Sequence, residues 1–245
     1  MVHCSVARWN DVAAWDEYLP AVERLLGDHL AKLDTNDPAR RKADTLRGEG
    51  QFVTAFGPKD DSRWLLGKFE RTKVELQIEH YKNGRDSFGR RRNNTISFYL
   101  PPRVHSEDGV GKLVELFRLT NQRWAAFYAF ADLKEVYCVK KASPPSIGAL
   151  DIASELPGVF WLTYFGPRYS AFIGRERLGA LDQSAEEPAG GTILRLAETP
   201  EKVPEGLRRM VERRLGAEMF AGTGDVTIEK PEGRYALTLE QLSSD

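Results

Sequence analysis

Four histidines and two cysteines are the groups of this 245-residue chain best suited to metal binding or nucleophilic chemistry. None of His3, His29, His80 and His105 lies three to five residues from another histidine or from a cysteine. No local metal-binding pattern therefore forms. His80 falls on the apolar side of a period-two stretch and reads as a half-buried, hydrogen-bonded residue. His105, in His-Ser-Glu-Asp ahead of a helix, reads as capping chemistry. Cys4 and Cys138 make no disulfide framework and read as free thiols in a reducing compartment, with Cys138 as a buried, inert thiol.

The remaining motifs of catalysis are incomplete. Gly48-Glu49-Gly50 lacks the third glycine of a dinucleotide fingerprint, and Ala221-Gly222-Thr223-Gly224-Asp225 has no lysine to meet a phosphate. The chain has no Gly-x-Ser-x-Gly turn. Adjacent carboxylates occur at Asp60-Asp61, Glu107-Asp108 and Glu186-Glu187. A catalytic pair needs one member in an apolar pocket to separate the two pKa values, and nothing around these pairs supplies one. The expectation is a protein without catalytic residues, metal or cofactor. Two rivals stay open: a hydrolase or nuclease whose residues converge only in three dimensions, and a nucleic-acid accessory protein.

What stands out is charge suited to binding. Arg85, Arg90, Arg91 and Arg92, with Phe88 among them, form a basic loop that could meet an acidic protein or grip phosphates. Asp60 and Asp61 could plug a basic cleft. These seven residues are the partner-contact candidates. The whole chain carries 35 basic and 36 acidic residues, a net charge of -1. That balance argues against a general nucleic-acid binder.

The elements that must position these groups follow from periodicity. Residues 11–33 carry Val12, Trp15, Leu19, Val22, Leu25, Leu26 and Leu30 at helical spacing, with Pro20 expected to divide or kink the helix. Residues 35–50, with Arg40, Arg41 and Lys42, read as a linker or a short solvated helix. From residue 51 the period becomes two, with strands expected at 51–56 and 63–69. The clearest strand spans 73–81, with Val74, Leu76, Ile78 and His80 on one side and Glu75, Gln77, Glu79 and Tyr81 on the other. It pairs in a hairpin with 95–100 across the basic loop. Residues 109–126 return to helix, and 127–131 form a short buried strand. Residues 136–147 read as a loop and 146–156 as a short helix. Residues 159–165 form a central strand and 168–178 a helix. Residues 193–196 form a strand, 204–215 a helix beginning at Pro204, and 235–239 a last strand. Hairpins alternating with isolated helices predict an α+β fold with mostly antiparallel sheet flanked by helices. Each half offers an aromatic strand followed by a helix, so two similar α/β halves are conceivable. Length permits a single domain over 1–245, with 132–150 as the place for a subdivision.

The N-terminus lacks the basic start and apolar core of a secretory signal, and no stretch reaches the roughly 20 apolar residues of a membrane span. A cytoplasmic protein with no membrane partner is expected.

The stretch LPGVFWLTYFGPRYSAFIG at 156–174 has a distinctive order. RWAAFYAFADL at 123–133 precedes it, and GGTILRLAETP at 190–200 and a helix ending in Leu215-Gly216 follow it. This order resembles bacterial immunity proteins of type VI secretion and polymorphic-toxin systems. Leu156, Pro157, Gly158, Trp161, Tyr164, Gly166, Pro167 and Gly174 carry the resemblance, and all read as turns or buried aromatics. The resemblance implies a non-catalytic cytoplasmic protein that binds and neutralises one cognate toxin or effector. It leaves a homodimer open and does not identify the contact surface.

Overall fold

The computed structural model describes residues 1–4, 12–34, 39, 41–44, 62–81, 93–101, 107–141, 156–188, 190–220 and 241. The chain divides into two compact units, residues 1–126 and 127–245. The fold is α+β, with antiparallel strands flanked by helices. No helix among the described residues is long and apolar enough to cross a membrane.

Among the described residues, unit one is built on five antiparallel strands in the order β2-β3-β4-β5-β1. These are β1 (Val2–Cys4), β2 (Leu30–Asp34), β3 (Ser62–Phe69), β4 (Glu75–Tyr81) and β5 (Asn94–Tyr99). Alternation decides which residues are buried. Val74, Leu76, Ile78, Leu65, Phe69 and Ile96 are all within the core. The register pairs Leu65 with Ile78 and Ile78 with Ile96, so they share one face. Gly67 lies on that face, and a Cβ there would meet Leu30 Cδ1 at 3.0 Å and Leu76 Cβ at 3.2 Å. The missing side chain is the gap that β2 leucines fill.

Helices α1 (Val12–Leu26) and α2 (Glu107–Arg123) flank this sheet. Buried Trp15, Leu19, Val22 and Leu26 line α1 at helical spacing. Trp15 packs on Trp124 with centroids 4.1 Å apart, and Tyr18 meets Trp124 edge-on at 5.5 Å. The Tyr18 hydroxyl pairs with Thr120 Oγ1 at 2.8 Å, joining the two helices.

Two expectations are corrected here. Pro20 was expected to divide or kink the helix, and it does not divide it: α1 runs as one helix through Pro20. Burial of four large side chains on its inner stripe outweighs the roughly 3 kcal/mol cost of an interior proline. The helix also stops at Leu26 rather than Leu33, because Gly27 adopts φ +61° and turns the chain into β2. Leu30 and Leu33 are buried as strand residues.

Unit two holds β6 (Tyr128–Ala131), β7 (Leu162–Phe165), β8 (Ser184–Glu186) and β9 (Thr192–Arg195), antiparallel in the order β6-β7-β9-β8. Its helices are α3 (Lys134–Lys141), α4 (Pro167–Ile173), α5 (Arg175–Gly179) and α6 (Leu207–Leu215). Phe130 stacks on Phe160 at 4.1 Å and on Tyr137 at 5.4 Å. The loop expected over 136–147 is helical as far as it is described, within α3, because Val136 and Tyr137 give the segment one half-buried side. The helix expected over 168–178 splits into α4 and α5 at Gly174, whose φ of +99° no helix accommodates. α6 begins at Leu207 rather than Pro204, since Gly206 at φ +76° precedes it. The expected strand at 159–165 is regular only from Leu162.

The reason for that late start is a buried carboxylate. Asp132 has no exposed side-chain surface. It receives Arg208 Nε at 3.0 Å and Nη2 at 2.9 Å, together with the backbone N–H of Trp161 at 2.9 Å and of Leu133 at 2.9 Å. The Trp161 amide therefore points at Asp132 instead of continuing a ladder. Tyr128 Oη donates to the Gly158 carbonyl at 2.6 Å, and Glu212 accepts the Val159 amide at 2.7 Å. Replacing Arg208 with Met should cost about 3–5 kcal/mol in urea unfolding, because it leaves a buried carboxylate without its counter-charge.

Candidate functional site

The seven partner-contact candidates, Arg85, Phe88, Arg90, Arg91, Arg92, Asp60 and Asp61, lie outside the described residues. So do His105, the strands expected at 51–56 and 235–239, and most of the segment expected as helix over 146–156. His80 is placed in β4 opposite Arg63. Cys138 is exposed on α3, not buried, because that amphipathic helix turns Val136 and Tyr137 toward its neighbours instead. Glu186 lies in the edge strand β8.

His3 is buried in β1 and accepts a hydrogen bond at Nδ1 from Asn93 Nδ2 at 2.6 Å. Burial, reinforced by the amino-terminal charge, lowers its pKa to about 3. It stays neutral at physiological pH and titrates far from the range useful to an acid–base catalyst. Among the described residues, no group of three or more His, Cys, Asp or Glu is placed to hold a metal ion.

Two ionic clusters in unit one serve the fold. His29 bridges Glu23 Oε1 at 2.9 Å and Asp44 at 3.3 Å. Asp28 accepts from Thr72 Oγ1 and the Thr72 amide, both at 2.6 Å, from the Arg71 amide at 3.0 Å and from the His29 amide at 2.8 Å. It ties the α1–β2 turn to the β3–β4 turn, where Lys73 adopts φ +58°. Burial alone would push this carboxyl up; the hydrogen bonds from Thr72, Arg71 and His29 outweigh it and bring the pKa down to about 2.

The surface with binding chemistry is the face of the unit-one sheet opposite its apolar side. The register sets out a grid of three rows. Trp64, Glu79 and Thr95 form one row; Leu66, Gln77 and Ser97 the next; Lys68, Glu75 and Tyr99 the third. Neighbours across strands are about 4.8 Å apart and neighbours along a strand about 6.8 Å. Trp64 and Tyr99 therefore sit at opposite corners, about 17 Å apart. They are 53% and 43% exposed. Thr95 and Ser97 are buried, so the grid opens toward Trp64, Lys68, Glu75 and Tyr99.

Gln77, Glu79, Lys68 and Glu75 are already paired between these corners, whereas the buried Thr95 Oγ1 has no partner among the described residues. Tyr99 Oη donates to Gln77 Oε1 at 3.3 Å, Gln77 Nε2 donates to Glu79 Oε1 at 2.9 Å, and Lys68 Nζ reaches Glu75 at 3.4 Å. Strand backbone holds their Cα positions, and side-chain bonds limit their rotamers. Such a face loses little entropy on docking. The period-two pattern of 73–81 located the strand and its polar side. Exposure of Trp64 and Tyr99 was not readable, since aromatics in strands are usually core.

A second basic surface lies on α6, where Arg209, Arg213 and Arg214 are exposed. Arg213 and Arg214 occupy its last turn and Arg177 donates to the Leu215 carbonyl at 2.9 Å. Compensation of the helix dipole and of its unpaired carbonyls accounts for these.

Asp28→Asn should cost about 2 kcal/mol through the loss of charged hydrogen bonds. The native carboxyl titrates at about 2 against 3.8 unfolded. Its contribution is present above pH 4 and is lost as pH falls toward 2. Acid unfolding followed by circular dichroism should therefore show a shallower slope between pH 4 and pH 2 in the variant.

No family model matches this chain, and neither a curated protein nor a solved structure matches it.

Proposed function

We propose that this protein is an immunity-type binder that neutralises a cognate secreted toxin or effector by docking on it, without catalysis. One observation carries the reading: two large aromatics stand exposed at the corners of a rigid, hydrogen-bonded sheet face. Interface hot spots are enriched in Trp and Tyr, and their contribution depends on being held in place before the partner arrives. The immunity-like order of residues 156–174 supports the same class. Its residues now have structural roles: Trp161 donates from Nε1 to the Ala197 carbonyl at 2.9 Å. Tyr164 packs so closely on Gly191 that a Cβ there would lie 2.4 Å from the Tyr164 hydroxyl. These residues build unit two; the contact face proposed here belongs to unit one.

The test is co-expression with a toxin-like product encoded beside the gene. The wild-type protein should rescue growth and co-purify with that product as a complex. The variant Trp64→Ala/Tyr99→Ala should keep its urea midpoint, since exposed substitutions usually change stability by less than about 0.5 kcal/mol. It should bind at least about 30-fold more weakly, the effect of removing one hot spot of about 2 kcal/mol. Full affinity in that variant would remove the face assignment. Absence of both rescue and complex with the wild type would remove the immunity reading.

A further inference from the structure

The third row of the grid continues past Lys68. β2 pairs Lys32 directly with Lys68, and an isolated antiparallel bridge pairs Lys32 with Lys42. Directly opposed residues of an antiparallel pair point to the same face. Lys42, Lys32 and Lys68 thus stand side by side at successive strand positions, all three exposed. The Leu33 amide donates to the Arg41 carbonyl at 3.0 Å, which makes Lys32 and Lys42 a non-hydrogen-bonded pair with Cα atoms about 4.5 Å apart.

Directly opposed like charges destabilise a sheet. Among the described residues, the nearby carboxylates do not relieve this row. Glu75 pairs with Lys68. Asp44 is engaged with His29. Asp34 is buried and accepts the Arg41 amide at 3.3 Å. Lys32 and Lys42 have no carboxylate partner among the described residues. A lysine on a sheet edge protects against edge-to-edge pairing. That accounts for one lysine, not for three in one row with Lys68 on an inner strand.

We infer that the Lys42–Lys32–Lys68 row is a docking surface for an acidic segment of a partner protein, adjoining the Trp64–Tyr99 grid. The inference rests on the binding role proposed above and gives that partner its charge. Carboxylates spaced along a peptide would sit between neighbouring ammonium groups and cancel a repulsion that the free protein carries. The aromatic grid beside the row favours a protein over a bare polyanion, because Trp64 and Tyr99 offer apolar anchors where the charged row ends.

The probe is a fluorescein-labelled oligo-glutamate peptide titrated with the full chain and read by anisotropy. Binding is expected at 20 mM salt and should fall steeply by 300 mM as the charges are screened. Lys32→Glu/Lys42→Glu should weaken it at least tenfold. Lys32→Gln/Lys42→Gln should give a smaller loss of peptide binding. This Gln variant should unfold at an equal or higher urea concentration than wild type, since the opposed like charges are gone. Three results would each overturn the inference: no peptide binding at low salt, undiminished binding in both variants, or tighter binding of an oligonucleotide of equal charge through the same two lysines. Peptide binding is measured without any toxin. Its failure therefore leaves the Trp64→Ala/Tyr99→Ala result standing, and the two readings fall separately.

Discussion

The antiparallel ladder joining β3, β4 and β5 is the constraint on which the unit-one surface depends. Its seven β3–β4 pairs run without a slip from Ser62–Tyr81 to Lys68–Glu75. Because side chains alternate strictly, a shift of one residue would exchange the two faces. Leu65, Leu76, Ile78 and Ile96 would then meet water, and Trp64, Gln77 and Glu79 would meet the helices. The free energy of burying the apolar set therefore holds the polar set in register, with no contribution needed from the polar residues themselves. Gly67 completes the device by letting the β2 leucines reach the apolar layer.

Unit two is organised by a different interaction. Its centre is aromatic, and the buried Asp132 gathers Arg208, Trp161 and Leu133. Ser170 Oγ donates to the Phe165 carbonyl at 2.9 Å, joining α4 to β7. A carboxylate buried with a bidentate arginine and two amides specifies where a chain passes more sharply than apolar packing does. Here it stops the strand at Leu162 and directs the preceding Val159–Trp161 backbone toward α6.

The face bearing Trp64 and Tyr99 and the adjoining lysine row have opposite electrostatic characters. On the grid, the one base, Lys68, meets Glu75, and Glu79 is held by Gln77. In the row, three bases are aligned, and among the described residues only Lys68 has a carboxylate partner. Aromatic anchors give a complex its lifetime, whereas unneutralised charge mainly raises the rate of encounter and selects against like-charged partners.

The strands of unit one were legible where alternation was clean, as over 73–81, because period two is a local property that burial on one side imposes directly. β7, β9 and α2 were legible for related reasons of periodicity. β1, β2 and β8 were not: they are short, and the leucines of β2 continue the helical spacing of α1 so closely that only the left-handed turn at Gly27 separates them. Composition also set the chemistry at hand, including scattered histidines and an even charge balance. What the chain alone could not decide was which aromatics stay in water and which lysines become neighbours. Lys32, Lys42 and Lys68 are up to 36 positions apart in the chain, and only strand pairing brings them into one row. Trp64 and Trp15 are the same residue type; one is exposed and one buried because the folded sheet has an inside and an outside, a distinction that exists only after long-range pairing has formed.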